Sequence, residues 1–151
     1  MDRKVIDEEV SYDGKVMVCE TDLEGNILFV NRRFTENLGF DKDEVRAHTF
    51  EIIRHPDIPE GMLSKMWTVL GQREKWKGYV KLWRKDGKYI WASVYFTPTI
   101  NEDGDHTGYT AAFSEAERSM VEQMTKFFAE AKADPTKVDE LVNKDIKNFE
   151  F

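Results

Sequence analysis

Residues Ile53-Arg54-His55-Pro56-Asp57-Ile58-Pro59 put a guanidinium, an imidazole and a carboxylate within four consecutive positions. Proline fixes φ and biases the residue before it towards extended backbone, so the two prolines predict a stiff loop with defined side-chain directions. Such a trio could hold an anionic or aromatic heterocyclic ligand. It reads equally as a rigid helix-entry loop, with Asp57 favoured by the dipole of the helix that Pro59 opens. His55 beside Asp57 and Arg54 also has the make-up of a general base with an orienting carboxylate. No Ser or Cys nucleophile motif, Gly-rich phosphate loop or metal-ligand spacing accompanies it, so the expectation is a protein that is not an enzyme.

The elements that must position this loop follow from pattern. Val16 to Thr21 and Ile27 to Val30 read as strands joined by the turn Asp22-Leu23-Glu24-Gly25-Asn26, an antiparallel hairpin. Asn31 caps a short helix from Arg32 to Leu38 that Gly39 ends, and Asp41 starts another helical turn through Val45. From Ile58 to Leu70 the positions Ile58, Met62, Met66 and Val69, with Leu63, Trp67 and Leu70 beside them, predict an amphipathic helix. After Gly71 the period changes to two. Trp76 to Arg84 alternates, with Trp76, Gly78, Val80 and Leu82 on one face. Asp86-Gly87 marks a hairpin, Tyr89 to Thr97 is a strand closed by Pro98, and Thr107 to Phe113 is the last strand after the turn at Asn101 to Asp105. This order predicts an α+β fold: a five-stranded antiparallel sheet with short helices on one face.

Ser114-Glu115-Ala116-Glu117 has the form of a capping box and predicts a C-terminal helix starting as the sheet ends. Met120, Val121, Met124, Phe127, Phe128 and Ala131 form its apolar stripe, Asp134-Pro135 breaks it, and Thr136 to Asn148 reads as a charged final helix. The mostly charged first dozen residues read as a loose lead-in. The domain plan is therefore a lead-in over 1–14, one domain over 15–114 and a helical extension over 115–151.

Composition narrows the function. The chain has 151 residues with four Trp, five Tyr and ten Phe, enough bulky apolar surface for one core and a ligand pocket. A formal net charge of -7 argues against a nucleic-acid or anionic-membrane binder. No apolar run is long enough for direct membrane insertion, and Met1-Asp2-Arg3-Lys4 lacks a signal-peptide core, so a cytoplasmic location is expected. The single Cys19 excludes a disulfide framework and reads as a small buried hydrophobe. His48 and His106 read as loop and turn residues.

Four marks in this order resemble a PAS domain, and more narrowly the aerotaxis-receptor type. They are Thr21-Asp22-Leu23-x-Gly25-x-Ile27-x-x-x-Asn31, the box Arg54-His55-Pro56-Asp57-Ile58-Pro59, Trp76-x-Gly78-x-Val80-Lys81, and Lys85-x-Gly87-x-Tyr89 leading to Thr97-Pro98. The first and last are generic to the family; the box followed by a Trp-x-Gly strand is the narrower mark. The resemblance implies a PAS sensory module that binds FAD non-covalently, reports redox or energy state, and signals through its C-terminal helix. It implies a cofactor region at Arg54, His55, Asp57 and Trp76, with Asn31, Trp67 and the inner-face residues Val80, Leu82 and Ala92 completing the cleft. A guanidinium suits a pyrophosphate or an anionic flavin, and an aromatic wall suits a flat ring.

Leu82 and Ala92 depart from the pattern, because flavin-binding relatives tend to place Asn at these positions. Each missing amide removes a hydrogen bond of roughly 0.5–1.5 kcal/mol. Light sensing through a flavin–cysteinyl adduct is not expected, since Cys19 lies on the first strand. Two alternatives stand beside FAD: a haem-binding gas sensor, with Val80, Leu82, Ala92 and Val94 around a porphyrin and His55 as ligand, and a cofactor-free interaction module. Expected partners are a second copy in a homodimer, or a membrane chemoreceptor or histidine kinase as a separate chain.

Overall fold

Antiparallel pairing carries the architecture of the computed structural model, which describes residues 3–138. Strands β1 (Met17–Asp22), β2 (Ile27–Val30), β3 (Trp76–Trp83), β4 (Tyr89–Ile100) and β5 (His106–Glu115) form one sheet in the order β2-β1-β5-β4-β3. Helices α1 (Arg32–Leu38), α2 (Lys42–Arg46) and α3 (Glu60–Gly71) lie between β2 and β3, with a 3-10 turn at Phe50–Ile53 before the box. Asn31 caps α1 as expected, accepting from the Phe34 amide at 3.1 Å, and its side chain also accepts from Val18 N of β1 and donates to Val16 O just before it. Gly39 ends α1 with φ 79°, a left-handed conformation that favours glycine.

Alternation sorts the sheet into two faces. Met17, Cys19, Val80, Leu82, Ile90, Ala92, Val94, Phe96, Ala111 and Phe113 are buried on the inner side, against Phe34, Ile53, Met62, Met66 and Leu70 from the helical segment. The outer side carries Lys81 and Trp91, and there α4 (Arg118–Ala133) folds back onto the sheet. Trp91 stacks on Phe128 at 5.4 Å between centroids, and Val121, Met124, Phe127 and Ala131 are buried beside it. The stripe expected to be either core or partner surface is thus core in this chain.

Three local expectations are corrected. Pro98 does not close its strand: β4 continues to Ile100, because Pro98, Thr99 and Ile100 still pair with Tyr109, Gly108 and His106 of β5, while β3 begins at the Trp76–Phe96 pair and leaves the other edge of β4 free. A proline without an N–H is tolerated at such an edge. The capping box at Ser114 does not form, because Ser114 and Glu115 stay in β5, paired with Ser93 and Ala92, and α4 starts at Arg118. Sheet pairing satisfies those backbone groups, so the helix entry moves downstream.

The lead-in is not loose. Ile6 N donates to Gly87 O and Val10 N to Tyr89 O, both at 2.8 Å, while Tyr89 N donates to Glu8 O at 3.2 Å. Arg3 sits 4.6 Å from the Trp83 ring centre and donates to the carbonyls of Glu51, Ile52 and Arg54. Charge in this segment serves docking. The final helix expected from Thr136 to Asn148 lies, beyond Val138, outside the described residues. Among the described residues no helix is long and apolar enough to cross a membrane.

Candidate functional site

The box is held against the outermost strand. Arg54 bridges Leu82 in antiparallel fashion, and His55 N donates to Lys81 O at 3.3 Å. Consecutive residues of extended chain face opposite ways, so Arg54 turns to the inner side with Leu82 and His55 to the outer side with Lys81. That single step divides the box between two environments.

On the inner side is a cavity of about 160 Å3, lined by Phe50, Arg54, Leu63, Trp67, Leu82 and Phe96 among others. Trp67 stands edge-on to Phe50 and Phe96, with centroids 6.4 and 6.1 Å away. The cavity falls below the roughly 300–1,000 Å3 usual for ligand clefts. A more polar cavity of about 580 Å3 adjoins it, lined by Arg3, Pro59, Gly61, Lys132 and Val138 among others, and Glu51, Arg54 and Ile58 belong to both walls. The Arg54 guanidinium donates to Ile58 O at 3.0 Å and to Glu51 at 3.3 Å, but its Nε is buried with no hydrogen-bond partner among the described residues. A buried donor left unpaired costs about 1–3 kcal/mol.

On the outer side the imidazole of His55 is 2% exposed and packs edge-on to Tyr89 at 5.4 Å. Its Nδ1 accepts from the Asp57 amide at 3.0 Å, while Nε2 has no partner among the described residues. Burial first, and then the ammonium of Lys81, push the His55 pKa down to about 4. The Asp57 carboxylate accepts from Lys81 at 2.7 Å and from Lys132 of α4 at 3.0 Å. Burial works against its ionised form, yet these two hydrogen bonds prevail and hold its pKa at about 2.

Of the residues expected to form the cleft, the structure brings together Arg54, Trp67, Val80 and Leu82. His55 and Asp57 lie across the strand, and Asn31 is spent on capping α1 and gripping β1. Ala92 pairs with Val80 and is fully buried behind the lining. The indole of Trp76 lies over Gly78, where any Cβ would collide with it, and it approaches Phe96 at 6.3 Å without lining the cavity. Because His55 faces away, the haem alternative has no histidine lining the cleft. Among the described residues no group of three or more His, Cys, Asp and Glu is placed to hold a metal. Cys19 is buried, and burial pushes its thiol up to about 12. Sequence reasoning missed Phe50, Leu63, Phe96 and Arg3 as cavity residues; the apolar turn before the box was the one available signal for Phe50.

Comparison with known proteins agrees with this architecture. The family model described as PAS fold matches residues 14–116. The chain is 32% identical over 97 residues to the aerotaxis receptor of Escherichia coli (strain K12), covering 64% of this chain but 19% of that receptor's length. Among solved structures it superimposes on a PAS domain from Colwellia psychrerythraea with a TM-score of 0.61 at 21% identity, covering 67% of this chain and 86% of that one. It also superimposes on a Light-Oxygen-Voltage domain studied with a flavin analogue, with a TM-score of 0.61 at 14% identity, covering 82% and 89% of the two chains.

Proposed function

Because the chain belongs to the PAS fold family of sensory signalling modules, we propose that its cleft takes a flavin, in the form of FAD, and that α4 passes the cofactor's state to a partner. The observation that carries this reading is Arg54. Its guanidinium stands on the wall shared by an aromatic cavity and a larger polar one, with Nε unpaired. A ligand with a flat ring at one end and a pyrophosphate-linked tail matches that pairing of spaces. Trp67, Phe50 and Leu82 would hold the ring, and Arg54, with Arg3 beyond it, would face the charged tail. FAD supplies a ring that gains and loses electrons within cellular potentials. Admitting it requires Trp67 and Leu63 of α3 to swing outwards, and both are only partly buried. With Leu82 in place of an amide, the ring is retained by packing and by Arg54.

In this reading residues 15–114 sense and 115–151 carry the output, to a second copy or to a membrane chemoreceptor or histidine kinase on another chain. The reading is tested by titrating the purified protein with FAD and following flavin fluorescence and absorbance. Saturable uptake is expected, with Arg54→Ala weakening it at least tenfold, the loss of about 1.4 kcal/mol from a charge-assisted contact. A protein that takes up no FAD overturns the proposal.

A further inference from the structure

The outer half of the box ties strand β3 and helix α4 together through a single carboxylate. Asp57 lies three residues after Arg54 in the same loop. Its two carboxylate oxygens are divided: Oδ2 accepts from Lys81 on β3 at 2.7 Å and Oδ1 from Lys132 on α4 at 3.0 Å. Lys81 is itself 7% exposed and lies 4.0 Å from the Tyr89 ring centre, so it cannot turn away to water. Lys132 sits in the last turn of α4, one residue after the buried Ala131. A cavity of about 190 Å3 lined by Asp57, Lys81, Trp91, Thr125, Phe128, Ala129 and Lys132 keeps this seam loosely packed. Polar attachment there is what a sliding or lifting helix end can break and remake, whereas the Trp91–Phe128 stack holds the middle of the helix.

We infer that Asp57 is a positioning residue, a latch that ties the cleft loop to the far end of the output helix, and makes no contact with the ligand. Movement of the loop at Arg54 shifts the Asp57 carboxylate between Lys81 and Lys132 and so loosens or tightens α4; this last step rests on the flavin reading. The anchoring itself does not.

Hydrogen exchange read by mass spectrometry along α4 tests the latch on the full chain without ligand. Asp57→Asn, Lys132→Gln and the double variant form a cycle. Lys132 is half-exposed, so Lys132→Gln leaves the fold intact, and it is expected to speed exchange in the last turns of α4 about threefold, the size of an exposed ion pair. Asp57→Asn is expected to do at least as much, and the double variant no more than Asp57→Asn. Exchange unchanged in both single variants, or effects that multiply in the double, overturns the latch. FAD titration then separates the two ideas: affinity within twofold of wild type in Asp57→Asn supports the latch, and a tenfold loss overturns it by placing Asp57 in the cleft. A wild-type chain that takes up no FAD defeats the flavin reading alone, and the exchange cycle still decides the latch.

Discussion

Replacing Gly108 with alanine is expected to cost about 3–5 kcal/mol, enough to unfold many domains of this size. Gly108 lies in the central strand β5, opposite Asp22 on β1 and Thr99 on β4. A methyl group there would run into the carbonyl oxygen of Thr21 and lie 3.1 Å from the Asp22 Cα. Those are backbone atoms, so no rotamer change relieves the clash; β1 must move off β5, and the hairpin that leads to α1 moves with it. Gly104→Ala is the matched comparison. That residue sits in a turn with φ +84° and nothing within 4 Å, so alanine meets only the left-handed backbone penalty of about 1–2 kcal/mol. Urea unfolding of the two variants measures the difference. Equal midpoints would show that β1 and β5 separate more easily than their register implies.

The second large effect is a pH dependence from His55. Its folded pKa of about 4 lies below the ordinary histidine value of about 6.5, because burial and then Lys81 oppose the imidazolium. Between these values the unfolded chain binds a proton that the folded chain refuses, so stability rises with pH across the window. The contribution is fully present above about pH 6.5 and is lost as pH falls towards 4. A separation of this size corresponds to roughly 3 kcal/mol. The neighbouring carboxylate of Asp57, with Asp7 further off, favours the imidazolium, and Lys132 adds to the opposition. Asp57 contributes in the same direction at lower pH: its folded pKa of about 2 lies below its ordinary value, so its contribution is lost as pH falls through that range. Chemical denaturation from pH 7 to 4 is expected to show a steep loss in wild type, flattened in His55→Gln. A variant with the same slope as wild type would mean that His55 takes up its proton in the folded chain as readily as in the unfolded one.

Both effects turn on a distinction that pattern alone could not draw. Alternation in Trp76 to Leu82 and in the last strand, the turn glycines and Asn31 as a cap were all legible, because each depends on residues near in sequence and on backbone geometry of fixed period. So was the PAS resemblance, which rests on the same local marks, and with it the five-stranded antiparallel sheet. The Arg-His-Pro-Asp box was legible as a stiff loop carrying charge. Its division was not. Arg54 and His55 part company because the loop pairs with the free edge of β3, and only tertiary structure says which edge is free and what lies on either side.

The same reason accounts for the other departures. The first dozen residues carry charges that mark solvent in isolation, yet their backbone finds unpaired partners at Gly87 and Tyr89. Ser114 to Glu117 satisfies the local rule for a helix start, but Ser93 and Ala92 offer ladder partners that the local rule does not count. The apolar stripe of α4 guaranteed that one face would be covered, and Trp91 on the outer face of the sheet decided by what. Sequence alone determined the order of the five strands and of the helices between them, the family and the chemistry available in the box, since these follow from residue type and spacing. Tertiary structure decided which of those groups share a space, because burial, strand edges and unpaired backbone donors belong to the assembled sheet and to no single segment.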